Sequence, residues 1–192
     1  MSFPIGIGGE GAETPVGHTV VVVKRPHPTW IPTASEHAED PDLPEVVPPG
    51  PDNPMGDFAL YLGWKDYALH GTNRPYSIGR RDSHGCIRMY PEDIARLYAL
   101  VTLGTPVTVV DEPVKTGWQG GELYLEVHWE QEDAESLETR GAPPAIIAAD
   151  ADDLVVQAAG KAADRLDWYA IHLAELRRDG IPVQVTLSPS GF

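Results

Sequence analysis

A single cysteine, Cys86, stands in the run Ser83-His-Gly-Cys-Ile-Arg-Met89, and His70-Gly71-Thr72 precedes it by sixteen residues. A thiol attacks carbonyl carbon only as thiolate, and an unperturbed cysteine has a pKa of roughly 8.5. A neighbouring histidine can take that proton, and this stretch holds two, His70 and His84. Gly85 leaves room for a substrate carbonyl to approach the Cys86 backbone N–H. The amides of Gly85 and Cys86 could then form an oxyanion hole. Two blander readings stand beside this one. A lone cysteine can be a small buried hydrophobe. His70, His84 and Cys86 could also be three metal ligands, although one thiolate and two imidazoles with no paired acid make a poor structural zinc site. Four arginines, Arg74, Arg80, Arg81 and Arg88, lie in the same stretch. They are either an anion-binding cluster or a solvated loop.

The rest of the chain must position these groups. Its 192 residues suffice for one domain with an appendage, and 42% hydrophobic content allows a buried core. With one cysteine, neither a disulfide scaffold nor an iron–sulfur cluster can form. The formal net charge is −15, which argues against a nucleic-acid partner. That charge is uneven. Residues 1–56 carry two bases and eight acids, and residues 111–192 carry six bases and sixteen acids. Residues 57–110, which hold the cysteine, carry six bases and five acids. No apolar run approaches ~18 residues, so no membrane span is expected. The opening Met-Ser-Phe-Pro-Ile-Gly lacks the pattern of a secretory signal. Either the protein is cytosolic or a targeting segment lies outside these residues.

Branched residues predict a strand over 16–23. Nine of the 19 prolines then fall within 26–54, which excludes helix and interior strand there and predicts an ordered flap over 26–56. Strands are expected at 58–62, 67–70, 107–110 and 123–128. Pro91-Glu-Asp93 opens a helix that Gly104 ends. Residues 71–86 read as irregular, and 129–144 as an acidic linker. From Asp150, Leu154, Ala158, Ala162, Leu166, Tyr169, Leu173 and Leu176 recur at helical spacing, predicting one helix closed by Gly180. A strand at 181–187 follows, and 145–147 reads as a further short strand.

Ser83-His-Gly-Cys-Ile-Arg-Met89, preceded by Tyr67-Ala-Leu-His-Gly-Thr72, resembles the active-site signature of the bacterial L,D-transpeptidase catalytic domain, the YkuD-like family. Phe3-Pro-Ile-Gly-Ile-Gly8, Thr14-Pro-Val-Gly17, Pro28-Thr-Trp30, Pro48 through Gly56, Tyr90 through Ile94, Gly104 through Val110 and Gly121 through His128 are similar to the branch found in Gram-negative cell envelopes. The resemblance covers about residues 3–128. It implies a mainly β, sandwich-like catalytic domain over 1–128, with a short helix after the active-site loop. Residues 145–192 would then be a helix–strand appendage. Strands that usually precede the Phe3-Pro-Ile-Gly segment are expected to lie upstream of this chain, leaving a sheet edge to be covered.

The resemblance also implies an activity. Cys86 would attack the carbonyl of the third residue of a peptidoglycan stem, usually diaminopimelate, and release D-alanine. The resulting thioester would pass to an amine on another stem or on an envelope protein. Water as acceptor would make the protein an L,D-carboxypeptidase, and a silent module would only bind the wall. By position, His70 is base and then acid, and the Gly71 carbonyl orients its ring. Gly85 and Cys86 amides hold the oxyanion, and Ser83, His84 and Arg88 shape loop and substrate contacts. Arg74 and Arg81 are candidate partners for stem carboxylates. No cofactor and no metal are implied, carbapenems are expected to acylate the same thiol, and the substrate implies a periplasmic location.

Overall fold

The computed structural model describes residues 1–128 and 151–187. The linker expected at 129–144 and the strand at 145–147 lie outside them. The chain divides into two units, Met1–Val110 and Asp111–Phe192.

The first unit is one seven-stranded sheet in the order β5-β1-β6-β4-β3-β2-β7. The strands are β1 (Ile5–Gly8), β2 (Gly17–Pro26), β3 (Phe58–Leu62), β4 (Ala68–His70), β5 (Arg81–Ser83), β6 (Ile87–Met89) and β7 (Pro106–Val109). The sheet curls at β2. The first half of that strand pairs with β7 and its second half with β3, with an irregularity between Val21 and Val23. β1 has partners on both sides, parallel to β5 and antiparallel to β6. The sheet edges therefore fall at β5 and β7 rather than at the N-terminal segment.

Helix α2 (Pro91–Leu100) starts where proline at the first position and Glu92 and Asp93 in the first turn favour it. Its Ile94 is fully buried with Val21, Leu60, Leu62 and Met89. At the other end Lys24 Nζ donates to the Tyr98 and Val101 carbonyls, both at 2.6 Å. A cation thereby satisfies carbonyls that the last helical turn leaves unpaired.

The proline-rich stretch is ordered in an irregular way. Trp30 and Val47 form an isolated antiparallel bridge. Against the expectation that the prolines exclude helix, α1 (Ala34–Glu39) forms in the proline-free stretch between Pro32 and Pro41, opened by a capping box in which Thr33 Oγ1 accepts from the Glu36 amide and Glu36 accepts from the Thr33 amide. Asn53, fully buried, staples the base. Its amide donates to the carbonyls of Pro28, Val47 and Pro48, and its carbonyl oxygen accepts from Met55 N–H at 2.8 Å.

The second unit departs from three sequence expectations. Strand β9 (Glu122–Val127) pairs with β8 (Val114–Gln119) and with β10 (Val183–Gln184). Leu123, Leu125 and Val127 share a core with Val155, Ile171 and Val185. The strand placed in a 1–128 domain thus builds the C-terminal unit, and the boundary falls after Val110. The signal for β8 was local: Gly120 and Gly121, both at positive φ, join Gln119 to Glu122 as a two-residue hairpin. The single helix expected from residue 150 is also divided. It runs as α3 (Ala151–Ala159), a 3-10 segment Gly160–Arg165, and α4 (Trp168–Arg177). Gly160 is a poor helix former. Asp167 then caps a new helix by accepting from the Tyr169 and Ala170 amides. The strand expected over 181–187 shrinks to Val183–Gln184.

Candidate active site

Two short neighbouring strands bring the candidate dyad together. β4 and β6 run parallel, with Leu69 opposite Ile87 and His70 opposite Arg88. Side chains alternate along a strand, so Ala68 and His70 share a face with Cys86 and Arg88. Cys86 is partly buried and packs against the buried cluster of Met55, Ala59 and Ala68, which Trp30 and Tyr61 also cover. His70 is only 6% exposed, and its Nδ1 lies 2.6 Å from the Gly71 carbonyl oxygen. A carbonyl only accepts, so Nδ1 carries the hydrogen and Nε2 is left as the basic nitrogen.

The loop before Cys86 is held by hydroxyls. Ser83, itself buried, donates to the Cys86 carbonyl at 2.6 Å and accepts from the Gly85 amide at 3.2 Å. Thr14 Oγ1 donates to the Gly85 carbonyl at 2.9 Å and accepts from the Gly8 amide at 3.0 Å, tying the loop to the end of β1. Gly85 has φ +97°, and a Cβ there would come within 2.6 Å of the Tyr67 ring. Both the conformation and the space demand glycine.

The electrostatics keep both members of the dyad neutral. Burial pulls the His70 imidazole down to about 4, outweighing the Gly71 and Met55 carbonyls that favour its charged form. Burial pushes the Cys86 thiol up, and the Ala68 amide only partly offsets this. The charges of Glu36 and Asp66 push the thiol further in that direction, while Arg88 acts against it. The thiol lies 3.5 Å from the Asp66 carbonyl, to which it donates, and among the described residues no hydrogen bond joins it to the imidazole. The site at rest is a thiol and an imidazole, with no preformed ion pair.

Of the residues expected at the site, Cys86, His70, Gly71, Ser83 and Gly85 are brought together. Arg88 stays beside the dyad, where its charge acts on both His70 and Cys86, while His84, Arg74 and Arg81 are engaged elsewhere or exposed. Arg88 pairs with Asp82 at 2.6 Å. His84 Nε2 lies 2.8 Å from a Glu39 carboxylate oxygen, and its Nδ1 lies 3.6 Å from Glu36. Arg74 is exposed just before a 3-10 turn, Pro75–Ser77. Arg81 lies on β5 opposite Ile7 and acts weakly on Glu13, whose carboxyl is held low chiefly by the Glu13 and Gly11 amides. Thr14 and Asn53 lie in stretches that carry the family resemblance but were given no role, and Glu36 and Asp66 were not singled out from the sequence. Thr33-x-x-Glu36 was the one readable signal among them. The others act through contacts between residues far apart in the chain.

The same stretch of chain is what related proteins share. The YkuD family model, described as the L,D-transpeptidase catalytic domain, matches residues 1–109. The chain belongs to the L,D-transpeptidase catalytic domain family. It is similar to "Probable L,D-transpeptidase YbiS" of Escherichia coli K12, at 53% identity over 132 residues, covering 66% of this chain and 43% of that protein. "Probable L,D-transpeptidase ErfK/SrfK" of the same strain is 48% identical over 132 residues, covering 66% of this chain and 42% of that protein. The chain thus spans less than half the length of these relatives. Among solved structures, an L,D-transpeptidase from Mycobacterium smegmatis aligns with a TM-score of 0.43 and 25% identity, over 57% of this chain and 48% of that one.

Proposed function

We propose that the protein is a cysteine L,D-transpeptidase acting on peptidoglycan stem peptides. The observation that carries this reading is the β4–β6 register, which sets His70 and Cys86 on one face while the Gly71 carbonyl fixes the His70 tautomer. The thiol is neutral at rest, so its proton leaves as the substrate arrives. Cys86 turns from the Asp66 carbonyl to the scissile carbonyl of stem residue 3, diaminopimelate, and His70 Nε2 takes the thiol proton. The C–S bond forms and the oxyanion is held by the Cys86 amide. The Gly85 amide joins it by exchanging its 3.2 Å bond to Ser83. His70 then gives its proton to the departing D-alanine amine as the C–N bond breaks. In the second half-reaction an amine attacks the thioester, His70 takes the amine's proton, and the thiol is restored. The acceptor is a second stem, giving a 3-3 cross-link, or an envelope protein. No step calls on a cofactor or a metal.

Arg88, held by Asp82, orders the catalytic loop, and Arg74 and Arg81 supply positive charge for stem carboxylates. The reaction belongs in the periplasm, and a carbapenem would acylate the same thiol. Among the described residues no helix is long and apolar enough to cross a membrane.

Incubation with a disaccharide-tetrapeptide and mass spectrometry of the products test the reading. Loss of D-alanine with a cross-linked dimer is expected. Tripeptide monomer alone would make the protein a carboxypeptidase. Binding with no acyl-enzyme and no D-alanine loss would make it a wall-binding module.

A further inference from the structure

The proline-rich segment is fixed at two places. Its base is stapled by the four hydrogen bonds of buried Asn53. Helix α1, further along the excursion, meets the catalytic loop at His84, the residue between Ser83 and Gly85. His84 Nε2 lies 2.8 Å from Glu39 Oε2, and Nδ1 lies 3.6 Å from Glu36 Oε1. A carboxylate only accepts, so Nε2 carries the hydrogen toward Glu39, while the approach of Nδ1 to Glu36 is longer than a hydrogen bond.

The two glutamates are not equivalent. Glu36 has a side chain only 14% exposed, and its other oxygen, Oε2, accepts from the Thr33 amide at 2.7 Å and from Thr33 Oγ1 at 2.9 Å. The capping box therefore fixes one oxygen to the helix start and leaves Oε1 aimed at His84. Glu39 is 63% exposed and makes the shorter contact. The charge of Glu36 also acts on both His70 and Cys86, which places α1 beside the dyad. Trp30, from the same segment, packs in the cluster that contains Cys86.

We propose that Glu36, Glu39 and His84 form a latch that holds α1 against the catalytic loop, and that all three are positioning residues for acylation of Cys86. The latch does two things. It holds the backbone of Ser83 through Cys86, where the nucleophile and the oxyanion amides lie. It also closes one side of the cleft, so that a long stem peptide meets a formed wall while access of small reagents to the thiol is restricted. His84 is then occupied by its own chain rather than by substrate.

The inference rests on the function proposed above, and its test has one arm that does not. The purified 192-residue protein is compared with His84→Gln, Glu39→Gln and the double variant. Two rates are measured: D-alanine release from a stem tetrapeptide, and alkylation of Cys86 by iodoacetamide. Loss of the latch is expected to lower kcat/KM for the tetrapeptide ~3- to 10-fold and to speed alkylation several-fold. The double variant is expected to be no worse than the more affected single one, because both remove the same contact. Multiplying losses in the double variant, or alkylation that is unchanged or slower, would overturn the latch. If the unaltered protein releases no D-alanine, the transpeptidase reading fails, while the alkylation rates still decide the latch. Glu39 is exposed and its loss does not threaten folding, so Glu39→Gln decides the alkylation arm even if the His84 variant does not fold.

Discussion

The neutral, buried state of His70 has a measurable cost in acid. Burial lowers its folded-state pKa from the ordinary 6.5 to about 4. Between these values the unfolded chain binds a proton that the folded chain refuses. Stability is therefore fully present above pH 6.5 and is lost as pH falls toward 4. The separation is about 2.5 units, and at ~1.36 kcal/mol per unit it amounts to about 3 kcal/mol between pH 7 and pH 4. The perturbation that isolates it is His70→Asn, whose amide can still donate to the Gly71 carbonyl but does not titrate. Amide exchange in β3 and β4 reads the stability of the N-terminal unit, after correction for intrinsic exchange chemistry. The difference between the unaltered protein and the variant is predicted to fall by about 3 kcal/mol over that range, with other titrations cancelling. A flat difference would refute the buried neutral imidazole. A difference that grows as pH falls would mean a charged His70 paired with a thiolate.

Three further outcomes follow from the same geometry. Cys86 alkylation by iodoacetamide should keep rising through pH 9 as a raised thiol ionises; a plateau between pH 5 and 8 would mean a preformed thiolate–imidazolium pair. Asn53→Ala removes four hydrogen bonds from a buried staple and should cost about 2–4 kcal/mol, measured by chemical denaturation of the N-terminal unit. Gly85→Ala puts a methyl group against the Tyr67 ring at φ +97°; D-alanine release should fall at least ~10-fold, as small displacements of a reacting group commonly cost that much.

Local signals made some elements legible. Proline at the first position and two acids mark the start of the helix at Pro91–Leu100, which ends at Val101 before the expected Gly104, and apolar residues bounded by turns mark β3. The candidate dyad was legible by residue type, because one cysteine and a nearby histidine are chemically conspicuous. Its geometry was not, since it depends on a register between two three-residue strands, β4 and β6, too short to leave a periodic pattern. The same limit hid the C-terminal unit. The alternation of Glu122–Val127 reveals a strand, but its partner at Val183–Gln184 is some sixty residues away. Helical spacing from Leu154 to Leu176 ran through Gly160 and marked the wrong face: Leu154, Tyr169 and Leu176 are exposed, while Val155, Ala159, Ile171 and Ala174 pack the core. The arginines look like an anion site in sequence. The structure pairs Arg88 with Asp82, and the negative charges of Glu36 and Asp66 act on the cysteine, a balance set by contacts across the fold.

The most direct test of the account is the intact mass of the protein after brief exposure to a stem tetrapeptide. The account predicts an adduct on Cys86 equal to the tetrapeptide less D-alanine, absent in Cys86→Ser and labile to hydroxylamine. D-alanine release that persists in Cys86→Ser, with no adduct on the unaltered protein, would contradict it.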